Sequence, residues 1–325
     1  MVKYTANLPI RLLVSNNARL IGGSMRLISK IFICIFLTAG CGQNNSSSNT
    51  PQPTLANLET LYQTYEGLLP SHQDSNGFIL EDKCDSLLFS SLAAVGNNTP
   101  INIESASQGP GFWFRLPNQY GDVCGPNEIS RDMLIGLLVY IQHFGRLDLA
   151  NQLWDYGTSH NWVMNSGDTR TIVAPDFVGL LSRVIRDLGG TTHDEYLIPA
   201  LSVYINTSYD WTSNHLNMIR IYLDGRMAGS INDADLTFLR SLTQYNPGNL
   251  LGQALLHRYT DGDESSVIAS LVNLYPSNRL PTDSDWCDNW RWQREDGDTG
   301  LSPCAGTTIH SGGDLLFDSY IIMNN

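Results

Sequence analysis

From residue 55 onward, apolar residues recur every three or four positions and are interrupted at short intervals by Gly, Pro or a capping residue, a rhythm that commits the chain to helices. Leu55, Leu58, Leu61, Tyr62, Tyr65, Leu68 and Leu69 trace one apolar face that Pro70 stops. A second helix is expected over 84–95. The run GPGFWFRLP then breaks the rhythm and reads as one short β-hairpin near 111–118. Ser130 caps the next helix and Gly145 ends it, with LDLANQLWDYG as its hairpin partner. Pro175 opens a helix that Gly189 and Gly190 close, the usual Pro-start, Gly-stop asymmetry. Thr192 and Glu195 form a capping box for YLIPALSVYI. Helices follow near 212–226, 233–244, 249–259 and 264–274. An irregular segment, 276–313, leads to a terminal helix from Asp314.

The fold class is therefore all-α, with roughly ten or eleven helices joined as hairpins by short connections. No fixed-length repeat is present, which argues against tetratricopeptide or HEAT arrays. Antiparallel hairpins in one domain of this size resemble an incomplete (α/α) toroid, the architecture of many glycan hydrolases and lyases. An irregular α-bundle or solenoid is the alternative that the same periodicity permits.

The first forty residues have a different logic. Arg26 to Lys30 is basic, Ile31 to Leu37 is apolar, and Thr38-Ala39-Gly40 is small before Cys41. These are the parts of a secretory signal, and the apolar run falls well short of the roughly 20 residues a spanning helix needs. The TAGC sequence resembles the bacterial lipobox, although Thr38 stands where Leu is commoner. That resemblance implies a lipid on Cys41, cleavage before it, and an extracytoplasmic protein held to the membrane. Gly42 after the cysteine favours the outer membrane. Met25 is the expected start of translation. Residues 41–54 read as a flexible polar tether, and 55–325 as a single globular domain.

Charge narrows the partners. Five of the 19 Lys and Arg and none of the 32 Asp and Glu lie in 1–40, so the expected mature chain has 14 basic and 32 acidic residues, net −18. Such a chain repels nucleic acid. Lys83 is its only lysine, so nearly every cation is an Arg, suited to two-pronged carboxylate contacts. Beyond Cys41, Cys84, Cys124, Cys287 and Cys304 are an even set in an oxidising compartment and read as disulfides. Pairing within each local loop, Cys84–Cys124 and Cys287–Cys304, is favoured over the other two combinations. No CxxC spacing supports zinc, and no metal or other cofactor is expected.

Three places carry candidate chemistry. Trp113 and Arg115 precede Arg131 and Asp132 at a helix start. The dipole explains Asp132 there, but it opposes Arg131, which calls for an anionic partner. On the same helix Gly136, His143 and Tyr140 lie near the Asp132 face. An interior Gly costs about 1 kcal/mol relative to Ala, which the close approach of a helix or a ligand would explain. The second place is His215, a candidate general base beside Asn214, Asn217 and Arg220. The third is DWCDNWRWQRED, where Trp286, Trp290 and Trp292 interleave with Arg291 and Arg294, a set suited to stacking on sugar rings or to plugging a core.

There is no HExxH, GxSxG, Walker A or dinucleotide glycine pattern. The acid clusters at 261–264 and 283–285 fit no EF-hand loop. Two functional readings remain. One is a glycan-active enzyme of the cell envelope. As a lyase it would use Arg131 or Arg115 against a substrate carboxylate and His215 or Tyr140 as base. As a hydrolase it would pair Asp132 with Asp85 or Asp314. The other is a non-catalytic lipoprotein binding glycan or a protein through the Trp-rich tail.

Overall fold

The computed structural model describes residues 51–80, 83–117, 129–164, 175–193, 211–260, 262–282 and 309–324. Among them are ten α-helices and one two-stranded hairpin, so the all-α class read from periodicity is the observed one. The helices are α1 (Leu55–Leu68), α2 (Ser86–Gly96), α3 (Arg131–His143), α4 (Leu147–Ser159), α5 (Pro175–Asp187), α6 (Trp211–Ala228), α7 (Asp233–Tyr245), α8 (Leu250–Tyr259), α9 (Glu264–Leu274) and α10 (Gly313–Met323). The capping box at Thr192 and the helix expected after it extend outside the described residues, as does the lipobox.

The hairpin pairs β1 (Ser107–Gly109) with β2 (Phe112–Trp113), earlier in the chain than the expected 111–118. The reason is local. Gly109 and Gly111 both take positive φ, and that reversal sets the turn before Phe112. Beyond it, Arg115 O accepts from Leu87 N (2.8 Å), so the chain leaves the hairpin to cap α2. Ser130 precedes α3 as expected, but its hydroxyl makes no capping bond. Asn232, Asn249 and Asp263 do cap α7, α8 and α9 through their side chains.

Two kinds of helix are present. Every residue of α2 is buried, and so is all of α10 from Gly313 to Ser319. A helix covered on all sides belongs inside. By contrast α1, α4, α7 and α9 each bury a single stripe, such as Leu58, Leu61 and Tyr65 on α1. These form an outer layer.

The inner helices close a cycle: α2 packs on α3, α3 on α6, α6 on α8, α8 on α10, and α10 back on α2, with α5 against α3 and α6. Their directions follow from contacts at named ends. His143, ending α3, meets Asn98 just past α2 (2.8 Å) and the ring of Tyr320 near the end of α10 (5.5 Å). Arg226, late in α6, donates to Tyr320 Oη (3.1 Å). Arg258, late in α8, donates to the carbonyls of Ile321 (3.1 Å) and Asn324 (2.8 Å). Gln142 of α3 donates to Asp187, which ends α5 (3.0 Å). The C-termini of all six inner helices therefore gather at one end, and their N-termini at the other. Outer α1 runs the opposite way, with Tyr65 near its C-terminus packed on Gly312 before α10.

This arrangement accounts for Gly136. A Cβ there would lie 2.9 Å from Leu88 Cα and 3.1 Å from Leu88 O, so the glycine lets α3 lie against α2. The helix-approach explanation holds, and no ligand is required at this position. No described helix is long and apolar enough to cross a membrane.

Candidate functional site

The N-terminal end of the inner ring holds two of the residues the sequence singles out, Asp132 and His215. Asp132 lies in the first turn of α3 and His215 in the second turn of α6. His215 Nε2 stands 3.5 Å from Asp132 Oδ2 across the helix–helix contact. Here the fold brings together two candidates that sequence could only nominate separately. His215 is almost sealed at 4 % exposed, whereas a third of the Asp132 side chain faces outward.

Arg115 and Asp85 form the adjoining part. Arg115 Nη1 lies 3.3 Å from Asp85 Oδ1 and donates to Cys84 O at 3.2 Å. The hairpin exit is thereby fastened to the 3-10 turn Lys83–Asp85 that leads into α2. Cys84 itself is disulfide-bonded. Cys124, Cys287 and Cys304 lie outside the described residues, so the expected pairing is not located.

The charge state of Asp132 records these neighbours. Burial pushes its carboxyl up. The hydrogen bond and charge of His215, the N-terminal amide of its own residue and the charge of Arg115 outweigh that effect, and hold it below the ordinary carboxylate value. An ionised Asp facing an imidazole nitrogen across a helix–helix contact is an arrangement that orients the ring.

Other candidates are placed elsewhere. Tyr140 is 1 % exposed and donates to Ile101 O at 2.9 Å, so this proposed base is a core residue holding the 101–103 segment. Trp113 is equally buried and packs the core rather than offering a face to a ligand. Asp314 is buried at the start of α10 and accepts from Tyr275 Oη at 2.6 Å. His143 contacts Asn98, and burial followed by the Arg226 charge lowers it to about 4. Arg131 is exposed and makes no ion pair with another described residue. Trp286, Trp290, Trp292, Arg294 and Cys41 lie outside the described residues.

At the opposite end, sequence reasoning missed a chain of charges. Arg183 reaches Asp224 (2.8 Å), Arg220 bridges Asp224 (3.0 Å) and Asp235, and Asn232 Nδ2 also donates to Asp235 (2.8 Å). Arg183, Asp224 and Asp235 line an open cleft of ≈ 560 Å³ between α5, α6 and the start of α7. The i,i+4 spacing of Arg220 and Asp224 was the available signal. Among the described residues no group of three metal-ligating side chains occurs.

No protein-family model, no curated protein and no solved structure matches this chain.

Proposed function

We propose that this chain is a lipid-anchored protein of the bacterial cell envelope whose helical domain cleaves an acidic polysaccharide by β-elimination. The observation that carries the reading is the Asp132–His215 contact of 3.5 Å at the ring end where the inner N-termini meet. In this mechanism Asp132 orients the His215 imidazole, and that imidazole takes the proton beside the uronate carboxylate. The C–H electron pair forms the new C=C bond as the C–O bond to the leaving sugar breaks, and the departing oxygen takes a proton from water. Arg115, with helix N-termini around it, offsets the charge that develops on the carboxylate.

Elimination is favoured over hydrolysis by the partner of Asp132. A hydrolase sets one protonated and one ionised carboxyl across the bond, whereas the ionised Asp132 faces an imidazole. The closed cycle of parallel inner helices with antiparallel outer ones supports a toroid-like reading of the domain. The anchor rests on the basic, apolar and small segments before Cys41.

The test is turnover of the purified full chain on a panel of acidic and neutral polysaccharides, read as reducing ends and as absorbance of unsaturated uronates. New ends with absorbance, lost in His215→Gln, are expected. New ends without absorbance would replace elimination by hydrolysis. Silence across the panel from folded protein would leave the binding lipoprotein in its place.

A further inference from the structure

Asp314 and Asp318 stand one turn apart on α10, so their side chains share a face, and they are 1 % and 0 % exposed. Their surroundings differ. Asp314 accepts from Tyr275 Oη (2.6 Å) and from Leu315 N (2.9 Å) at the positive end of the helix, so its charge is met. Neither carboxyl oxygen of Asp318 has a hydrogen-bond partner, and the adjacent Ser319 Oγ has none either. A bare carboxylate is intolerable in such a place, whereas a neutral carboxyl is merely costly.

Among the described residues no neighbouring cation changes this. The elements packed most extensively on α10 are α1, α2, α8 and α9; α3 and α6 also reach it, His143 through the Tyr320 ring and Tyr222 through Phe317. Helix α2 has no ionisable residue. On α8, Arg258 is engaged by the Ile321 and Asn324 carbonyls, His257 by Gly262 O, and the Tyr259 hydroxyl by Tyr222 O. On α1, Tyr62 and Tyr65 donate to the carbonyls of Gly96 and Pro276, while Glu59 and Glu66 are exposed. Glu264 of α9 is exposed. Arg226, reaching over from α6, binds the hydroxyls of Tyr222 and Tyr320. What acts on Asp318 is the like charge of Asp314.

Position gives this group its consequence. Helix α10 is the last inner helix and closes the cycle between α8 and α2. We propose that Asp318 is an acid-held latch: the ring stays closed around α10 while the Asp318 carboxyl keeps its proton, and ionisation releases α10 from α2 and α8. This goes beyond the proposed reaction and does not depend on it.

Burial first, and the Asp314 charge second, raise the Asp318 carboxyl well above the usual carboxylate range. The folded chain therefore keeps a proton that the unfolded chain has lost above roughly pH 4. Stability from this group is full below that pH and falls as pH rises toward the folded value, by up to about tenfold in the folding constant per pH unit.

Urea unfolding of the full chain in detergent, wild type against Asp318→Asn, tests the latch. The amide is nearly isosteric and cannot ionise. The ratio of the wild-type to the variant folding constant is expected to fall with pH above about 4, approaching tenfold per unit. Deuterium uptake in α10, relative to α4, is expected to rise with pH in the wild type and to stay level in the variant. A ratio independent of pH overturns the proposal. Should Asp318→Asn not fold, infrared spectra of the wild type decide. A protonated-carboxyl band that survives at pH 7 supports the latch, and its absence overturns it.

Discussion

Gly136 of α3 lies so close to Leu88 of α2 that an added Cβ would be 2.9 Å from the Leu88 Cα and 2.7 Å from its Cδ1. The obstacle includes backbone, which a side-chain rotation cannot clear. Gly136→Ala is therefore expected to destabilise by about 1–3 kcal/mol, although Ala is the better helix former by about 1 kcal/mol. Equilibrium denaturation measures it, and a variant as stable as the wild type would mean that the two helices part freely.

The Arg220 side chain is 12 % exposed and the Asp235 side chain 9 %, so their ion pair is largely desolvated. Asp235→Ala leaves Arg220 with Asp224 alone, and about 3–5 kcal/mol should be lost. Replacing both partners by apolar residues, Arg220→Met with Asp235→Leu, removes the stranded charge along with the pair. The double variant is expected to be more stable than Asp235→Ala in urea. Strict additivity of the two single changes would refute coupling between them.

These two features also mark what the sequence conveys. Gly136 was visible as an anomaly in an apolar helix, and the expected cause, another helix, is the observed one. Starts and stops were legible wherever chemistry is local, as at Pro175 and at Glu264–Leu274. The start of α2 slipped by two residues because Cys84 and Asp85 are drawn into a 3-10 turn by Arg115, a partner distant in sequence. The same limit applies at the site. Asp132 and His215 each stood out, but their contact depends on α3 meeting α6, which leaves no local mark. The burial of Tyr140 has a related reason. Helical periodicity tells which residues face inward, but not that Tyr140 finds Ile101 O there.

His143 offers a titration with a defined window. Burial and the Arg226 charge lower its folded value to about 4, below the ordinary 6.5. Between those values the unfolded chain binds a proton that the folded chain refuses. Stability from this group is complete above about pH 6.5 and declines as pH falls toward 4. His143→Gln is expected to flatten that limb of the stability–pH curve. Tracking the imidazole signals by NMR provides a second check, because His143 should remain neutral at pH 5.5.

The last prediction concerns the candidate site without assuming its reaction. Burial alone would raise the Asp132 carboxyl, and the hydrogen bond from His215 is the leading influence that brings it down, ahead of the Arg115 charge. Removing His215 should expose the burial effect, so in His215→Gln the carboxyl should titrate at higher pH than in the wild type. Arg115→Gln should move it the same way by less. The stability that Asp132 contributes is present above its unfolded value and lost as pH falls through the depressed folded one, so both variants should weaken that acid limb. Carboxyl-carbon NMR of the full chain reads the titration directly. An Asp132 signal unmoved by His215→Gln would mean that the 3.5 Å contact carries no coupling, and with it would go the basis for assigning His215 an oriented imidazole.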